Sequence, residues 1–196
     1  MLPGAARPEA PTIEAPPTKS RRRRHHLRSV EITQKSADYT VPGLGKDNGS
    51  EIAGLLQDRL HALNDLHLVL KHVHWNVVGP NFIAVHEMLD PQTEVVRGFA
   101  DEVAERIATL GQAPSGLSGE LVSDRSWSDY PLFKADAESH LRELDKVYTG
   151  VIGDHRQVLS KVGDIDPITE DLLIGQVKEL ELFQWFIRSH LEKVSA

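Results

Sequence analysis

The sequence predicts an all-α chain: four long helices in one bundle, with a long crossover between the second and third. Two observations predict it. Apolar residues recur at steps of three and four over four separate stretches, the mark of a helix with one buried face, and no stretch reads as a strand. The outer connections are short, near residues 78–80 and 163–166, whereas the middle one, 111–130, is about twenty residues long. Short links make antiparallel helix hairpins, and a long link runs the length of the bundle to join them.

Each element follows in order. Residues 1–47 are rich in Pro, Ala, Arg and Ser with little apolar periodicity, which predicts a disordered basic tail ahead of a helical domain over 48–196. Asn48 with Glu51 three residues on forms the pattern of a capping box. A first helix then carries Ile52, Leu56, Leu60, Leu63, Leu66, Leu70, Val73 and Val77 on one face and stops at Gly79-Pro80. The second, about 81–110, has Phe82, Val85, Leu89, Val96, Phe99, Val103, Ile107 and Leu110 on its apolar side and ends at Gly111. Pro91 lies inside it, which predicts a kink or a local cap at Asp90. In the crossover, GLSGELVSD suits a short extra helix. The third long helix is expected from about Pro131 to Lys161, with Ala137, Leu141, Leu144, Tyr148, Val151, His155, Val158 and Val162 inward. The fourth opens at Asp166-Pro167, a cap followed by a first-turn proline, and carries Leu173, Val177, Leu180, Phe183, Ile187 and Leu191. A four-helix bundle with one such crossover is ferritin-like. No fifth helix is expected beyond Leu191.

Composition narrows the chemistry. A chain of 196 residues, 40% hydrophobic and 26% charged, is sufficient for one domain with a real core. There is no cysteine, so disulfides and thiolate metal sites are excluded and any metal must be held by His, Asp and Glu. No apolar run approaches the roughly 18 residues of a membrane span. SRRRRHH has the arginines of a twin-arginine export signal, but the LRSVEITQK after it is too polar for one. A cytoplasmic location without membrane attachment is the expectation. Charge is divided unevenly: residues 1–30 hold seven cations against Glu9 and Glu14, net +5, so with the whole chain at -7 residues 31–196 hold -12. An acidic body carries a basic arm.

The stretch HWNVVGPNFIAVHEMLD, residues 74–90, concentrates the candidate chemistry. His74 and His86 lie six residues either side of Pro80, so a hairpin turning there sets them opposite each other. Asp90 follows His86 by one helical turn, and Asp101 with Glu105 forms a second one-turn pair. At about 100° per residue, His86, Asp90, Asp101 and Glu105 share an arc of roughly 100°. Residues 90 and 101 are nevertheless about 16 Å apart along the helix, too far to share one ion. A two-fold axis resolves this: if the helix packs antiparallel to its copy, the histidine end of one subunit meets the Asp101 and Glu105 end of the other. Two imidazoles with three carboxylates suit iron or manganese, with zinc as a competitor. His61, His67 and His72 fit no such pattern and read as structural or surface residues. Any one of the five alone would read as a solvated polar group.

KHVHWNVVGPNFIAVHEMLD, followed by GFADEVAERIATLGQAP and near the end by ELFQWFIRSHLEK, resembles the Dps family, the ferritin-like DNA-binding proteins from starved cells. The likeness covers about residues 50–192, and the spacing His-x11-His-x3-Asp-x10-Asp-x3-Glu is its most specific part. The resemblance implies a hollow homo-dodecamer with a di-iron ferroxidase centre shared between subunits. His74, His86 and Asp90 would come from one subunit, Asp101 and Glu105 from its neighbour. It implies oxidation of Fe(II) to Fe(III), mainly by hydrogen peroxide, mineral storage, and protection of DNA in the nucleoid. Trp75 resembles the family tryptophan beside the centre, placed to intercept stray oxidising equivalents, and reads equally as a packed aromatic. Lys71 is a candidate cation behind the ligands, or a surface lysine. Asp154, Asp166 and Asp171 are candidates for an iron-uptake pore, or caps and solvated charges. Arg21, Arg22, Arg23, Arg24 and Arg28, with His25 and His26, suit salt-sensitive DNA binding through phosphates, stronger as pH falls towards about 6.5. The same arm would also serve as a solubilising extension or hold the shell together. Two rivals stand beside this reading. A maxi-ferritin or di-iron oxidase needs Glu-x-x-His motifs, of which the chain has none. A non-enzymatic DNA-packing protein would use the same fold and basic tail without iron chemistry.

Overall fold

The computed structural model describes residues 36–193. Its elements are α1 (Lys46–Asn76), β1 (Val77–Val78), α2 (Phe82–Thr109), α3 (Ser118–Asp124), β2 (Ala135–Asp136), α4 (Ala137–Val162) and α5 (Pro167–Leu191). The four long helices pair as α1 with α2 and α4 with α5, and the two hairpins meet through α1–α4 and α2–α5 contacts. The expected stripes form the core: Ile52, Leu56, Leu63, Leu70, Val85, Leu89, Val96, Val103, Leu144, Tyr148, Leu173, Leu180 and Ile187 are all fully buried. The crossover carries the short helix that its sequence suggested.

The boundaries differ from the sequence reading in ways that packing explains. α1 begins at Lys46, after an extended Gly45, and no Asn48–Glu51 capping box forms. The segment before it is fixed by the bundle rather than belonging to a free tail through residue 47. Ala37 N donates to Gly111 O at 2.8 Å, and a Cβ at Gly111 would meet Tyr39 O at 2.1 Å. Gly111, at φ +87°, is required there both for its left-handed turn and for this close approach. Residues 1–35, with all five named arginines of the basic arm, lie outside the described residues.

The third long helix starts at Ala137, not Pro131, because Asp136 caps it. Its carboxylate accepts from Ser139 N at 2.9 Å and from Ser139 Oγ at 2.7 Å. Just before the helix, β2 pairs in parallel with β1, Val77 opposite Ala135. This two-residue pairing is the strand the sequence did not show, and it ties the end of α1 to the start of α4. α2 runs unbroken through Pro91, so Asp90 is no cap. The carbonyl that Pro91 leaves without its helical partner belongs to Glu87, on the exposed face, where water can serve it. Phe82, expected inward, is 38% exposed.

Candidate metal centre

The turn between α1 and α2 dictates how the two imidazoles meet. Gly79 adopts φ +83° and Asn81 φ +65°, reversing the chain over a few residues so that His74 and His86 face each other. Their rings stack with centroids 3.6 Å apart, inclined by 23°. Each holds the other's backbone: His74 Nδ1 donates to His86 O and His86 Nδ1 to His74 O, both at 3.0 Å. A carbonyl only accepts, so both Nδ1 atoms bear a proton, and in the neutral rings it is Nε2 that holds the lone pair able to ligate a metal. This is how histidines are oriented as metal ligands, with the second ring nitrogen fixing the tautomer. His74 is 8% exposed and His86 half-buried, so the rings are held firmly while remaining reachable.

Asp90 completes the group. His74, His86 and Asp90 each offer a ligand atom, all within 4.8 Å of one another. Asp90 Oδ1 lies 3.3 Å from His74 Nδ1 and accepts from Lys71 Nζ at 3.0 Å. The Lys71 hydrogen bond, helped by the nearby imidazoles, holds the Asp90 carboxyl below the usual carboxylate range. The group is therefore an anion at neutral pH, ready for a cation. Two neutral imidazoles with a carboxylate form a donor set for a borderline divalent ion.

Asp101 and Glu105 do not join this group within the chain. Both are exposed on the same α2, with Asp101 lining a depression beside Leu60, Asn64, Glu94 and Arg97. The rise of about 16 Å between residues 90 and 101 stands, because α2 is continuous. Trp75 is 71% exposed, with Lys71 Nζ 5.8 Å from its ring centroid, so Lys71 touches both the carboxylate and the indole.

The three aspartates considered for a pore part company. Asp166 is 6% exposed and bound to Arg106 Nη2 and Thr169 Oγ1, both at 2.5 Å, which removes it as a free pore carboxylate. Burial opposes its ionisation, but the bonds from Thr169 and Arg106 outweigh that and hold its carboxyl below the usual range. Asp154 stands 3.6 Å from the buried Arg59, and Asp171 is exposed. Of the remaining histidines, His61 is buried beside Gln57, and His72 Nε2 donates to Leu132 O at 2.7 Å. His67 is half-buried, and burial pushes its imidazole below the usual range. The reciprocal backbone bonds had no signal in the spacing, since they arise only when the hairpin closes.

The ferritin-like domain model matches residues 53–196. The DNA protection during starvation protein of Mycolicibacterium smegmatis is 58% identical over 154 residues, 79% of this chain and 84% of that one. The chain belongs to the Dps family. A second relative at 58% identity, over 81% of this chain and 84% of its own, is the fine tangled pili major subunit of Haemophilus ducreyi. Among solved structures, DpsA14 from Streptomyces coelicolor superposes with a TM-score of 0.80 at 58% identity, covering 82% of this chain and 96% of that one. The ferritin-like bundle expected from the connection lengths is the Dps fold. Among the described residues no helix is long and apolar enough to cross a membrane.

Proposed function

We propose that this Dps-family chain is a ferroxidase and iron-storage subunit, active at centres shared across a two-fold axis of a homo-dodecamer. The observation that carries this is the pair of histidines locked by each other's carbonyls, with both Nε2 lone pairs free and Asp90 beside them. Asp101 and Glu105 of the partner subunit would complete each centre, as the helix rise requires.

Ferrous iron is the substrate. His74 and His86 bind it through Nε2 and Asp90 through a carboxylate oxygen, from which the ion displaces the Lys71 ammonium. Two ferrous ions each give up one electron. Hydrogen peroxide takes both electrons and two protons, its O–O bond breaks, and two waters leave, so no hydroxyl radical is released. The ferric product hydrolyses inside the shell, for which an acidic body suits cation attraction. In the cytoplasm the basic arm would hold such shells on nucleoid DNA, sequestering iron and peroxide beside it.

Anaerobic ferrous titration tests the binding step. Saturable binding, weakened strongly in His74→Phe and His86→Ala with the assembly intact, is expected. Undiminished binding in both variants would place iron elsewhere and overturn the assignment.

A further inference from the structure

The chain has three tyrosines, and among the described residues only Tyr130 has a ring nitrogen at its hydroxyl. Tyr130 Oη is hydrogen-bonded to His140 Nδ1 at 3.0 Å, the direction set by the ring's tautomer, and is also placed to donate to His140 O at 3.2 Å. The two rings are within 4° of parallel, with centroids 5.9 Å apart. His140 is 0% exposed, and among the described residues its Nε2 has no hydrogen-bond partner. In the tautomer with the ring proton on Nε2, the neutral ring offers Nδ1 to the Tyr130 hydroxyl as the base. Burial pushes the His140 imidazole below its usual range, and the backbone of Asn76 and Phe133 partly offsets this, so the proton taken up is readily returned.

The other aromatics are less suited to losing an electron. Tyr148 is fully buried and donates to Gln92 Oε1 at 2.8 Å, and an amide oxygen is too weak a base to take its proton. Tyr39 is exposed and would lose its proton only to solvent. Trp75 sits under the Lys71 ammonium, whose charge opposes a second positive charge on the ring. Trp127 Nε1 donates to Asp65 at 2.6 Å and lines the same cavity as Tyr130, which makes it the nearest competitor.

Tyr130 also has a short connection to the candidate centre. Its ring packs against His72, centroids 5.8 Å apart, and His72 precedes His74 by two residues on α1. Only the width of that helix, about 10 Å with side chains, lies between. The parallel pairing of Val77 with Ala135 fixes the two segments together.

We propose that Tyr130 and His140 form a redox pair that absorbs one-electron oxidising equivalents escaping the ferrous centre, a role that rests on the ferroxidase reading for its oxidant. Such equivalents arise when a single ferrous ion meets peroxide and a hydroxyl radical forms. The radical takes one electron from Tyr130 and becomes hydroxide. The Tyr130 O–H bond breaks, its proton forms an N–H bond at His140 Nδ1, and a neutral tyrosyl radical remains beside an imidazolium. A further ferrous ion returns the electron and becomes ferric, and His140 returns the proton. The net result is one hydroxyl radical and one ferrous ion converted to hydroxide and ferric ion.

The test uses freeze-quench electron paramagnetic resonance on the full-length assembly in two arms. In the first, anaerobically ferrous-loaded protein meets hydrogen peroxide. In the second, iron-free protein meets a flash-generated ruthenium polypyridyl oxidant. Both arms are expected to give a signal that narrows with ring-deuterated tyrosine, disappears in Tyr130→Phe, and shows an exchangeable deuteron bound at the phenoxyl oxygen. That last readout needs no variant of the buried His140. A signal that survives Tyr130→Phe, a tryptophanyl signal in its place, or no bound deuteron in the flash arm overturns the pair. Iron oxidation in the first arm without a tyrosyl signal overturns its protective role. A Tyr130 radical in the flash arm with no iron oxidation in the first overturns the ferroxidase reading and with it that role, while supporting the pair's chemistry.

Discussion

Subunit complementation gives the shared centre a quantitative test. His86→Ala removes a ligand from the histidine half of a centre, and Asp101→Asn removes one from the carboxylate half. With α2 continuous, these halves are about 16 Å apart in one subunit and come together only across a two-fold axis. Each variant alone should be inactive, since every centre lacks one ligand. If the two are unfolded, mixed in equal amounts and reassembled, about half of the two-fold pairs contain one of each. In such a pair one centre carries both lesions and the other carries none. Activity per subunit should therefore return to about a quarter of wild type, read as peroxide-driven ferric absorbance. Mixing the finished shells without disassembly should restore nothing. No recovery in reassembled mixtures of wild-type size would refute the shared centre.

Three further outcomes follow from particular contacts. Lys71→Gln removes a cation hydrogen-bonded to Asp90 and should tighten anaerobic ferrous binding; unchanged or weaker binding would make Lys71 a support for the ligand rather than a competitor of the metal. Burial, with Arg59 nearby, pushes the buried His155 imidazole down to about 4 from its ordinary 6.5, so the unfolded chain binds the extra proton across that window. The associated stability, about 3 kcal/mol per subunit, is fully present above pH 6.5 and lost as pH falls towards 4. Thermal unfolding of His155→Gln against wild type should show a shallower pH slope there, and equal slopes would contradict the burial argument. Deleting residues 1–29 should abolish gel retardation of plasmid DNA, and in the full chain the five arginines should give a log–log salt slope of about -4.5 per engaged arm. Retardation unchanged by the deletion would remove the arm from DNA binding.

How far these features could be read from sequence depended on whether their cause is local. The apolar stripes of α1, α2, α4 and α5 follow from helical period, so Leu56, Leu70, Val96, Leu144 and Leu180 were legible as core. The facing of His74 and His86 was legible from their symmetry about Pro80. Asp136 as a cap was legible in principle from Ser139 three residues on, but Pro131 offered a competing start. The pairing of Val77 with Ala135 joins segments 58 residues apart and left no local pattern. Asp166 stands at the N-cap of α5, as Asp166-Pro167 suggests, but Arg106, 60 residues away, binds its carboxylate and removes it as a free pore carboxylate, which no local pattern signals. The hydrogen bond of Tyr130 to His140 is likewise a product of where the crossover lands on α4.

Stoichiometric peroxide titration of the anaerobic, ferrous-loaded assembly tests the central claim most directly. Two irons are expected to be oxidised per peroxide, far faster than in buffer, with the rate lost in His86→Ala. Oxidation no faster than buffer in wild-type shells would contradict it and leave a cage or DNA-packing protein whose histidine cluster does no iron chemistry.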